Sequence, residues 1–118
     1  MITTPKSQAP TPQQRIEALR KLILSQTATM FGDYDAAQLE LFSKEEWQEK
    51  GENEVSGEGA ALTMFIGDSR WCDAINGYGS AEEEDRANKM LDKITAKLGF
   101  DWDLGGEDLL HFWFRRGR

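Results

Sequence analysis

The chain has 118 residues, 30% of them charged and 39% apolar, with a formal charge of −7 and one cysteine. That length suits one domain around one core, and a lone thiol, Cys72, excludes an intrachain disulfide and a multi-thiolate metal site. Residues 32–114 set 20 Asp/Glu against 7 Lys/Arg, a net −13, which excludes general nucleic-acid binding because that needs cations to displace counterions from phosphate.

Residues 1–10 hold Pro5, Pro10 and small polar residues and are expected to be a disordered leader to a single α+β domain over 11–118. The leader has no apolar run of the signal-peptide kind, and nowhere are there the ~20 apolar residues of a membrane span, so the expected location is cytoplasmic. Thr11, Pro12 and Gln14 spell a helix start. Ile16, Leu19, Leu22, Ile23, Met30 and Phe31 recur at helical spacing, and Gly32 is the stop.

Residues 38–42 alternate weakly and suggest a short strand. Ser43 with Glu46 forms a capping box for a short helix through Trp47 that ends at Gly51, before a glycine-rich acidic loop over 51–59. The seven apolar or small residues 60–66 predict a strand buried on both faces. Asp68 or Ser69 caps a short helix carrying Trp71, Cys72 and Ile75, closed by Asn76 and Gly77.

Ser80 with Glu83 opens a third capped helix. It lines up Ala87, Met90, Leu91, Ile94 and Leu98, and Gly99 ends it. Phe100, Trp102 and Leu104 then alternate with Asp101 and Asp103. Gly105-Gly106 permits a tight hairpin, and Leu110, Phe112 and Phe114 mark the returning strand. A small, at least partly antiparallel sheet covered by helices is the expected architecture.

Gly67-Asp68-Ser69 after an apolar strand, with Asp108 and His111 downstream, resembles the first and last blocks of the GDSL hydrolases. The resemblance implies Ser69 as nucleophile, His111 as base and Asp108 as its orienter. The two blocks lie about forty residues apart, too close for the parallel sheet and middle blocks of that family. Gly-Asp-Ser is also an ordinary strand-to-helix connector. Residues 101–108 echo a calcium loop but have Gly105 and Phe112 where ligands are required. Neither a metal nor a cofactor is expected, and no catalytic residue is assigned.

The acid remains. Glu82, Glu83, Glu84 and Asp85 fill the first turns of the third capped helix, where the macrodipole favours negative charge, and Glu45, Glu46 and Glu49 ride on the short helix before them. Helix-dipole placement does not account for Glu107, Asp108 or the strand aspartates. The expected function is that of a non-enzymatic binding protein whose carboxylates (Glu82, Glu83, Glu84, Asp85, Glu45, Glu46 and Glu49, with Trp113 beside them) meet a basic protein surface. Its sharpest form is a nucleic-acid-mimicking inhibitor or regulator of the kind mobile elements encode, which would contact the nucleic-acid-binding protein and not the nucleic acid. The alternatives are an accessory module docking through an aromatic face, since Trp113, His111 and Leu109 share one side of their strand, and the Ser69 hydrolase.

Overall fold

A computed structural model describes residues 10–50, 59–67 and 69–115. Five helices and four strands follow in the order α1 (Pro12–Phe31), α2 (Asp33–Gln38), β1 (Glu40–Ser43), α3 (Lys44–Glu49), β2 (Leu62–Phe65), α4 (Arg70–Ile75), α5 (Ala81–Leu98), β3 (Phe100–Leu104) and β4 (Leu109–Phe114). The fold is α+β, and the sheet is wholly antiparallel with strand order β1-β2-β4-β3.

Local signals set the helix starts. Thr11, Ser43 and Ser80 each accept from the backbone of the residue three positions on, whose side chain reaches back to the cap, so all three capping boxes form. Gly99 ends α5 in the left-handed conformation, at φ 81°. Gly32 also has positive φ but ψ 163°, so it passes directly into α2 rather than closing a left-handed cap. The sequence reading missed α2, which lacks an apolar stripe and has no buried residue. The strand expected over 38–42 accordingly starts two residues later, at Glu40.

Two further expectations are corrected. A two-residue turn at Gly105-Gly106 would pair Leu104 with Glu107 and put Trp102 and Phe112 on opposite faces. The observed register pairs Leu104 with Leu110, Trp102 with Phe112 and Phe100 with Phe114, leaving residues 105–108 as a wider loop. Side-chain burial overrides the turn signal here, because slipping the pairing by one residue flips every side chain to the other face. Met90, placed with the core residues of α5, is only partly buried, whereas Ala87, Leu91 and Ile94 are buried. Most of the acidic loop at 51–59 lies outside the described residues, as does nearly all of the leader.

One face of the sheet holds the main core. Leu62, Met64, Phe100, Leu110 and Phe112 pack there against Leu19 and Ile23 of α1, Trp71 of α4 and Leu91 and Ile94 of α5. A buried polar link ties two of these helices together: Trp71 Nε1 donates to Thr27 Oγ1 at 2.8 Å, and Thr27 donates on to the Ile23 carbonyl at 2.6 Å. The opposite face carries Phe42, Thr63, His111 and Trp113, and α3 covers part of it by laying the buried Trp47 against Phe42 and His111.

Candidate functional site

The register defines two ends. At one, β2 finishes and β4 begins, because Glu40 pairs with Phe65 and Phe65 with Leu109. Here the α2–β1 connection, the β2–α4 connection and the β3–β4 loop come together.

Several bonds hold this end in place. The Arg70 amide donates to Asp35 Oδ2 at 3.1 Å while its guanidinium donates to Glu83 at 3.1 Å, so the starts of α2, α4 and α5 are joined. The turn between α4 and α5 folds over the Asp73 carbonyl, which accepts from the Tyr78 and Gly79 amides. Asn76 Nδ2 donates to the Glu107 carbonyl at 3.0 Å, and the Tyr78 hydroxyl donates to the Glu107 carboxylate, which pins the β3–β4 loop beside that turn. Ile66 donates its amide to the Asp108 carbonyl at 2.7 Å, and Glu84 lies against Gly77. Asp35, Asp73, Glu83, Glu84, Glu107 and Asp108 therefore converge from four stretches of chain.

The electrostatics carry the same mark. Burial pushes the Cys72 thiol up, and the neighbouring carboxylates of Asp108, Asp73 and Glu107 add to it against an opposing hydrogen bond from Asn76. A thiol so placed is a poor nucleophile, since the thiolate is the reactive form. Its hydrogen bond to Glu107 keeps the Tyr78 hydroxyl protonated to higher pH than usual, with the charge of that carboxylate acting in the same sense. Two aromatic rings stand in water among these acids: Tyr78 is 63% and Tyr34 75% exposed. Tyr34 lines a shallow hollow with Glu40, Phe65 and Ser69.

The carboxylates named from the sequence divide. Glu82, Glu83, Glu84 and Asp85 belong to this end, with Glu83 committed to its cap and to Arg70, and Asp85 paired with Lys89 at 3.0 Å. Glu45, Glu46 and Glu49 ride on α3, across the sheet from α5, so the two groups do not form one patch. Trp113 is partly buried on the α3 side, with its ring 5.7 Å from that of His111. Tyr34, Tyr78, Asp35 and Asp73 were not singled out in the sequence. Only the excess of acid beyond what helix starts explain pointed their way.

The hydrolase residues do not assemble. Ser69 spends its hydroxyl on the fold, donating to the Ile66 carbonyl at 2.9 Å and accepting from the Trp71 amide as the cap of α4. His111 is 1% exposed, with Nδ1 2.9 Å from Thr63 Oγ1 and Trp47 above it. Thr63 stands three strand residues before Ile66, a separation of about 10 Å, so Ser69 and His111 occupy different levels of the sheet. Burial lowers the His111 pKa, with Asp103 opposing from the paired strand. Asp101 is bonded to Arg115 at 3.0 Å and Asp103 accepts from the Leu104 amide, and among the described residues no group of three or more His, Cys, Asp and Glu is placed to hold a metal. Among those residues, too, no helix is long and apolar enough to cross a membrane.

No protein-family model, no curated protein and no solved structure matches the chain.

Proposed function

We propose that the protein works by binding, and that the acidic end of the sheet docks on a basic surface of another protein. The observation that carries this reading is the convergence of carboxylates from four separated stretches at one end, beside two tyrosine rings that the fold leaves in water. Carboxylates give long-range steering toward a cationic partner. Exposed tyrosines supply contact area and a hydroxyl at low entropic cost, which is why they are enriched where proteins meet. The spread of acid over a rigid surface also matches what a protein needs to occupy a groove built for phosphates, so a nucleic-acid-mimicking inhibitor or regulator is the sharpest form of the proposal.

Affinity capture from the native host tests it, with the wild type and a Glu82→Lys/Glu84→Lys variant as baits. A partner held at low salt, released at high salt, lost from the variant and displaced by added DNA supports the mimic. A partner that is retained equally by both baits, or held through a salt wash, contradicts the acidic end as the docking surface.

A further inference from the structure

The long helices α1 and α5 pack antiparallel, with Arg15 of α1 reaching the Leu98 and Gly99 carbonyls at the finish of α5. Their outer seam is not closed. Two hollows of about 190 and 400 Å³ run along it and share Leu22 and Lys97 in their walls, so they form one groove. It extends over residues 18–26 of α1 and 90–98 of α5, about 12 Å or two helical turns. Its floor is apolar, made by Leu22, Met90 and Leu98, each only partly covered by the core.

Lysine rims the groove. Lys21, Lys93 and Lys97 line it, and among the described residues none of the three forms an ion pair. Of the eleven lysines and arginines among the described residues four form ion pairs, and three of the other seven gather around this one apolar strip. Lys97 lies in the last turn of α5, where the helix dipole favours a cation. Lys21 and Lys93 sit in helix interiors and have no such local reason.

We propose that this groove docks an amphipathic helix of a protein partner whose apolar stripe is flanked by carboxylates. The floor offers room for anchors spaced i, i+3, i+4 and i+7, and the lysines match acid on either side of them. A second copy of the chain is disfavoured as occupant, because a two-fold contact across this groove sets its lysines against themselves. An anionic membrane is disfavoured as well: the surface is concave, and the net charge of −7 opposes approach to anionic lipid. This surface takes a partner of the opposite sign from the one assigned to the acidic end and does not depend on that assignment.

The test is titration of the full chain with a synthetic helical peptide of roughly four turns, leucines at i, i+3, i+4 and i+7 and glutamates on its flanks. Backbone amide shifts and fluorescence anisotropy are the readouts. Saturable binding is expected, with shift changes confined to residues 18–26 and 90–98. Lys21→Glu/Lys93→Glu/Lys97→Glu, all at solvent-accessible positions, should weaken it by about tenfold or more, since attraction becomes repulsion at three sites. Equal binding of the acidic peptide to this variant, equal binding of the same peptide with lysine for glutamate, or no saturable binding overturns the proposal. Binding to phosphatidylglycerol vesicles through these lysines, with none of the peptide, overturns it in favour of a membrane.

Discussion

At the end of the sheet where α5 finishes, Arg15 donates to the carbonyls of Leu98 and Gly99 at 3.1 and 2.9 Å and lies 4.9 Å from the Phe114 ring centroid, while Arg115 donates to the Phe100 carbonyl at 2.8 Å. At the other end Glu82, Glu84 and Asp85 stand exposed, and Tyr34 and Tyr78 stand beside the acid with most of their surface in water. The cations at the first end are part of the architecture, because Arg15 satisfies carbonyls at the terminus of α5 and Arg115 satisfies one at the start of β3. At the second end Asp35, Glu83, Asp85 and Glu107 also have partners within the fold, whereas among the described residues the Glu82 and Glu84 carboxylates form no hydrogen bond or ion pair. Charge that a fold uses and charge that it merely carries are distinguishable by partner, and only the second kind is available to another molecule.

Substitutions sharpen that contrast, and the core sets the scale. Ile94→Ala, at a site 2% exposed, should cost about 2–5 kcal/mol in urea unfolding, and Met90→Ala clearly less because that side chain is partly outside. An equal cost for the two would show that Met90 is better packed than its exposure indicates. Next comes Arg15→Ala, which strips a charged donor from two carbonyls and should cost about 1.5–3 kcal/mol. Glu82→Gln/Glu84→Gln, at the opposite end, removes only their share in the dipole at the start of α5 and should cost about 1 kcal/mol or less. If the acidic pair proved as costly as Arg15, the division between used and carried charge would fail.

Acidification probes the half-covered face. His111 is held neutral by burial, so its folded pKa lies below the unfolded value of about 6.5. The stability it contributes is therefore complete above about pH 6.5 and is lost as pH falls through the lower folded pKa, because the unfolded chain takes up the proton first. Thermal melts of wild type and His111→Gln from neutral to mildly acidic pH should converge as pH drops. Parallel curves would mean that His111 takes a proton without loss of the fold. The last substitution is Ser69→Ala. It removes the cap of α4 at a cost on the order of 1 kcal/mol and should leave any native activity intact. An esterase activity abolished in a folded Ser69→Ala protein would reinstate the hydrolase reading.

Much of this architecture was legible in the sequence because its signals are local. Three capping boxes, the 3.6-residue stripe of α5 and the alternation of β3 need no knowledge of the rest of the chain. The hairpin register was misread for the same reason: Gly105-Gly106 is a strong local turn signal, but the pairing is decided by Trp102 and Phe112, which must share the core face. Helix α2 escaped because six residues with no buried side chain leave no stripe to detect. The acidic end was legible only as an excess. Its members are spread from Asp35 to Asp108, so the topology, not any motif, brings them together, and the same topology sends Glu45, Glu46 and Glu49 to the other side of the sheet.

The most direct test of the acidic end is the association rate of the captured partner across a salt series, measured for wild type and for Glu82→Lys/Glu84→Lys. Between about 0.1 and 1 M salt the Debye length shrinks from about 10 to about 3 Å, so the wild-type rate should fall steeply. The variant should associate much more slowly at low salt while dissociating at nearly the same rate, whereas loss of simple contacts acts mainly on dissociation. A wild-type association rate that does not change with salt would contradict the account.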